Sequence, residues 1–127
     1  MSTLPIIVVD DDRDTCESLS DIIEDLGYKV EKAHDGPAAL RAFELQRFGL
    51  ALVDYKMPGV NGVDLYRRMK ELRSEIVGVL VTAFAGKETL SDASAAGVRQ
   101  VLAKPIDFEK LLPLIEEIVG KPAPQFN

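Results

Sequence analysis

Five times along the chain, a short run of aliphatic and β-branched residues gives way to a segment whose apolar side chains recur every three or four positions. Parallel strands need a crossover connection, and an amphipathic helix is the usual one, so this alternation demands a parallel sheet covered by helices on both faces. The spacing predicts strands near residues 5 to 10, 28 to 33, 49 to 54, 76 to 81 and 98 to 103, and helices near 13 to 26, 36 to 46, 62 to 73, 86 to 96 and 107 to 119. The last helix is the clearest, with Phe108, Leu111, Leu112, Ile115, Ile118 and Val119 on one stripe and Glu109, Lys110, Glu116 and Glu117 turned to water.

Local punctuation agrees. Gly27 can close the first helix, Asp35-Gly36-Pro37 can cap and open the second, and Asp107 can cap the fifth. The first, third and fourth strands are nearly continuous in apolar residues, as strands buried on both faces should be. The second, Tyr28-Lys29-Val30-Glu31-Lys32-Ala33, alternates and belongs at an edge. An edge second strand, with no glycine-rich dinucleotide fingerprint, favours a doubly wound flavodoxin-like order 2-1-3-4-5 over the Rossmann arrangement. The expected architecture is one α/β domain over residues 1–120, with 121–127 as a tail or the start of a linker.

Composition narrows the functional classes. A chain of 127 residues can bury one core but not two. A net charge of -6 without a Lys/Arg cluster longer than Arg67-Arg68 argues against a nucleic-acid surface. No apolar stretch approaches the roughly 20 residues of a membrane span, and the N-terminus lacks a signal-type pattern, so a cytoplasmic location is expected. Cys16 is the only cysteine, which rules out an internal disulfide and a thiolate metal cage, and it reads as a buried small hydrophobe beside Leu19, Ile22, Ile23 and Leu26. His34 is the only histidine, which excludes a histidine metal cluster, and it reads as a surface loop residue. Met57 and Met69 read as packing residues.

The polar groups that end the apolar runs carry the chemistry. Ile6-Ile7-Val8-Val9 runs into Asp10, Asp11 and Asp12, Leu50-Ala51-Leu52-Val53 ends in Asp54, Val77-Gly78-Val79-Leu80-Val81 ends in Thr82, and the fifth run ends in Lys104-Pro105. In an open parallel sheet these ends share one edge, and ligands bind where the strand order reverses, here between the first and third strands. Asp10, Asp11 and Asp54 then converge, with Thr82 and Lys104 on the far side. Carboxylates so crowded stay ionised only beside a positive charge, and a hard divalent ion, Mg²⁺ for preference, suits an all-oxygen ligand set. A carboxylate beside Mg²⁺, with an ammonium and a hydroxyl opposite, suits attack on a phosphoryl group. Asp54 would be the nucleophile, and Lys104 and Thr82 would neutralise the transferred oxygens. Asp12 reads as a solvated helix-start residue.

At these residues the chain resembles the receiver domain of a two-component response regulator. The matching segments are Ile6 to Asp12, Asp54-Tyr55-Lys56-Met57-Pro58-Gly59-Val60-Asn61-Gly62, Val81-Thr82-Ala83 and Lys104-Pro105. The resemblance implies that Asp54 is the phosphoacceptor, that Asp10 and Asp11 hold Mg²⁺ directly or through water, and that the backbone carbonyl of Lys56 completes the protein ligands. It also implies a sensor histidine kinase or histidine phosphotransfer protein as donor and an attached or separate output domain. The face of the fourth helix, fifth strand and fifth helix would report the change, and a homodimer through that face is a further implied partner. In this family a receiver is a signalling domain, not an enzyme.

Several positions depart from the family's common pattern. Val101 stands where receivers often carry an aromatic ring that rotates inward with the threonine, so a signal here must travel through backbone and loop shifts. Lys56 and Phe84 occupy positions that border water's access to an acyl phosphate, and Ala83 leaves the phosphate approachable. Two other readings compete. A haloacid dehalogenase-type phosphohydrolase would use Asp10 as nucleophile, but after Lys104 only Asp107, Glu109, Glu116 and Glu117 could supply its second acidic pair. A pseudo-receiver that binds without being phosphorylated would typically have lost the acceptor, the metal acids or the lysine, all of which are present.

Overall fold

The computed structural model describes residues 3–83 and 85–122. Five strands, β1 (Ile6–Val9), β2 (Val30–Ala33), β3 (Leu50–Val53), β4 (Val77–Thr82) and β5 (Gln100–Ala103), alternate with α1 (Arg13–Asp25), α2 (Gly36–Leu45), α3 (Gly62–Leu72), α4 (Lys87–Ala96) and α5 (Phe108–Val119). The strands form one parallel sheet in the order β2-β1-β3-β4-β5. The flavodoxin-like arrangement expected from the second strand's alternation is the one observed.

Pleating sends successive strand residues to opposite faces, and the core divides accordingly. Ile6, Val8, Leu50, Leu52, Val79, Val81 and Leu102 pack against Cys16, Leu19 and Ile23 of α1 and Leu111, Leu114 and Ile115 of α5. On the other face, Ile7, Val9, Ala51, Val53 and Leu80 meet Ala39 and Phe43 of α2, Val63, Leu65, Tyr66 and Met69 of α3, and Ala93 of α4. Cys16, Met57 and Met69 are buried, as their sequence contexts predict.

Asp35 caps α2 by accepting from the Ala38 amide, Asp107 caps α5 through the Glu109 amide, and Gly27, at φ 105°, carries the chain away from α1. The observed β2 and β5 are shorter than predicted. Val98 is taken up in closing α4, where its amide donates to Ala93. Tyr28 turns its ring into the core and its hydroxyl donates to the Gly120 carbonyl. The apolar face of α1 is also narrower than predicted, because Ile22 and Leu26 lie toward the helix edge and stay exposed.

The predicted tail, residues 121–127, falls outside the described residues from 123 onward, and Phe84 falls outside them as well. Among the described residues no helix is long and apolar enough to cross a membrane.

Candidate functional site

Strand register builds the site. Val9 is the partner of Val53 in the β1–β3 pair, so the next residue on each strand, Asp10 and Asp54, emerge side by side at the carboxyl edge. Two backbone bonds extend the ladder to these residues: the Asp54 amide donates to Val9, and the Asp10 amide donates to Ala33 at the end of β2. On the other side Thr82 pairs with Ala103, and the Lys104 amide donates to the Thr82 carbonyl at 2.9 Å, which brings the start of the lysine loop to the same edge.

One carboxylate oxygen from each of Asp10, Asp11 and Asp54 lies within 4.8 Å of the others. Asp10 and Asp54 are nearly buried, at 4% and 9% exposure, whereas Asp11 is open to solvent. Lys104 Nζ donates to Asp10 Oδ2 at 2.7 Å and lies 3.4 Å from Asp54 Oδ2, so one ammonium serves both buried acids. The other oxygen of Asp10 accepts from the Asp12 amide at 3.0 Å. Asp12 itself is exposed and caps α1, accepting from the Asp14 and Thr15 amides and the Thr15 hydroxyl. Its solvated helix-start reading fits this geometry.

Burial pushes the Asp54 carboxyl above its usual range; the Lys104 ammonium opposes the rise and the Asp10 charge adds to it. Burial alone would lower Lys104, but its hydrogen bond to Asp10 and the charge of Asp54 outweigh that and hold it above the ordinary lysine value. Burial thus outweighs the Lys104 ammonium at Asp54. A hard divalent cation fits the all-oxygen donor set. Metal–oxygen bonds of about 2.1 Å put the ligand atoms of an octahedral Mg²⁺ at most about 4.2 Å apart, so a small closure or one bridging water brings this triad into range.

The loop after β3 turns tightly beside Asp54. A Cβ at Gly62 would lie 2.1 Å from the Asp54 carbonyl oxygen, so only glycine lets α3 begin this close to the end of β3. The Gly62 amide donates to the Tyr55 carbonyl at 2.7 Å, and the Asn61 side chain caps α3 through the Asp64 amide. Lys56 lies in this loop and is exposed. Thr82 is fully buried at the end of β4, Ala83 after it is exposed, and the Lys104–Pro105 peptide is cis. Val101 is partly buried against the cluster under α2, α3 and α4.

The structure thus brings Asp10, Asp11, Asp54 and Lys104 together, with Thr82 as the sheet partner of Ala103, the residue before Lys104. Sequence reasoning gave His34 no place at this edge. Its loop position is as predicted, but the ring is half-buried and its Nδ1 lies 3.3 Å from the Asp10 carbonyl oxygen. The available signal was that β2 also ends at this edge, one residue before His34.

Compared with known proteins, residues 6–116 match the family described as "Response regulator receiver domain". The transcriptional regulatory protein ZraR of Salmonella typhimurium is 34% identical over 117 residues, covering 92% of this chain and 26% of the relative. The chain therefore spans about a quarter of that curated relative's length. Among solved structures, a CheY-like response regulator receiver domain protein from Methanospirillum hungatei superposes with a TM-score of 0.86 at 34% identity, covering 91% of this chain and 93% of that one. The response regulator TrrA from Thermotoga maritima, in complex with Mg(2+)-BeF, gives a TM-score of 0.81 at 25% identity, covering 91% and 98%.

Proposed function

Because this chain belongs to the response regulator receiver domain family, we propose that it works as a Mg²⁺-dependent switch that accepts a phosphoryl group on Asp54. A receiver of this family is a signalling domain rather than an enzyme, which sets aside the phosphohydrolase reading with Asp10 as nucleophile. The observation that carries the proposal is the nearly buried Asp54 at the end of β3, beside Asp10 and 3.4 Å from Lys104 Nζ. The Mg(2+)-BeF complex of the Thermotoga relative supports the metal.

An Asp54 carboxylate oxygen attacks the phosphorus of a phosphohistidine; the P–N bond breaks, and the imidazole leaves with the bonding pair and takes up a proton. The product is an acyl phosphate. Lys104, already poised between two carboxylates, turns toward the new phosphoryl oxygens, since an ammonium on a flexible stem can exchange partners. The Thr82 hydroxyl supplies a further donor on the same side. Asp10, Asp11, Asp54 and the Lys56 carbonyl would hold Mg²⁺, which offsets the charge accumulating on the phosphoryl oxygens. A sensor histidine kinase or phosphotransfer protein in the cytoplasm is the donor.

Phosphorylation favours the conformer in which Thr82 and Lys104 close on the phosphate, and the face of α4, β5 and α5 shifts with them. With Val101 in β5, that coupling runs through the backbone that joins Thr82 to Lys104. Incubation with acetyl phosphate and Mg²⁺, read by intact mass, labels the wild-type protein once and leaves Asp54→Asn unlabelled. Label retained by Asp54→Asn would overturn the assignment.

A further inference from the structure

The backbone of the acidic loop is held from two directions, and one holder is a side chain with no part in the chemistry above. The Asp10 amide is tied to the Ala33 carbonyl of β2 at 3.0 Å, and the next residue, His34, places Nδ1 3.3 Å from the Asp10 carbonyl oxygen. That carbonyl belongs to the peptide joining Asp10 to Asp11. Fixing it fixes the plane from which the exposed Asp11 side chain departs. The Asp10 carboxylate is separately anchored by the Asp12 amide and by Lys104. Asp11, the open member of the triad, thus depends most on the orientation of its own backbone.

We propose that His34 is a positioning residue for the cation site: with the proton on Nδ1, its ring donates to the Asp10 carbonyl and holds the Asp10–Asp11 peptide so that both carboxylates face the cation. The inference rests on the metal role proposed for Asp10 and Asp11. A preformed acidic pair binds a cation more tightly because less backbone freedom is lost on binding. The half-buried ring is well suited to this, since β2 and the capped start of α2 at Asp35 fix its backbone on both sides.

Three measurements test it. In titrations with Mg²⁺ alone, His34→Ala binds about threefold to tenfold more weakly, below the roughly 10–100-fold loss typical when a group bonded directly to a ligand is removed. His34→Asn, whose Nδ2 is as far from Cβ as the histidine Nδ1, restores most of the affinity. The thermal midpoint of the metal-free protein stays nearly the same in all three. In ¹⁵N–¹H correlation spectra of the ring, the neutral histidine carries its proton on Nδ1. Equal Mg²⁺ affinity in wild type and His34→Ala, failure of His34→Asn to rescue, or a neutral ring protonated on Nε2 would overturn the inference while leaving the phosphoacceptor reading intact. A wild-type protein that binds no Mg²⁺ overturns both.

Discussion

At the scale of single residues, the burial of Asp54 sets the electrostatics of the site. Its carboxyl is raised by burial despite Lys104, so the ionised form is disfavoured in the folded chain relative to the unfolded one. A carboxylate with a raised folded-state pKa costs no stability below the ordinary value of about 4, where it is protonated in both states, and costs progressively more as pH rises through the folded-state value. Asp54→Asn is therefore expected to raise the Tm of the metal-free protein at pH 7, with the gain shrinking to nothing as pH falls below about 4. Thermal melts across that range check it, and a gain that grows toward low pH would contradict the assignment of Asp54 as the strained acid. That Asp12 stands apart from Asp10 and Asp11 as a solvated helix-start residue was readable from the chain, but that Asp10 is buried while Asp11 stays open to solvent was not, since adjacent acids of one run carry no such distinction. The contact of His34 with the Asp10 carbonyl was not readable, since a lone histidine in a turn gives no periodic signal.

At the scale of elements, the parallel register does the positioning. The β1–β3 pairing sets Asp10 beside Asp54, and one slipped residue would turn one of the two to the opposite face of the sheet. The start of α3 is fixed as tightly, because Gly62 rests on the Asp54 carbonyl with no room for a methyl group. Gly62→Ala is expected to destabilise the fold by about 1–3 kcal/mol, the usual cost of forcing an extra methyl into a packed contact. It should also slow labelling of Asp54, and urea denaturation together with timed acetyl phosphate labelling measures the two effects. Element types and order were legible in the alternation of strand and helix patterns. Their ends were less so, because Val98 is claimed by the closure of α4 and Tyr28 serves as a core side chain latched to Gly120. The exposure of Ile22 and Leu26 shows the same limit: periodicity gives a helix its apolar side but not the width its neighbours cover.

At the scale of the whole molecule, a cation that binds only the folded acidic site must stabilise the entire domain. Mg²⁺ at ten times its dissociation constant is expected to add about 1.4 kcal/mol to unfolding, and a chelator should reverse the gain. Asp11→Asn should abolish most of that increment while leaving the metal-free melt nearly unchanged, since Asp11 is exposed. Differential scanning fluorimetry across a Mg²⁺ series checks both expectations. The sequence by itself determined the number and kind of elements, the edge place of β2 and the identities of the acids, hydroxyl and ammonium at the strand ends. These follow from local periodicity and from the rule that ligands gather at one edge of a parallel sheet. Only the tertiary structure decided that one lysine spans two buried carboxylates, that α3 must open with glycine and that a histidine from the neighbouring turn lies against the Asp10 carbonyl. Each of those depends on distances that strand register and helix packing set and that no local pattern encodes.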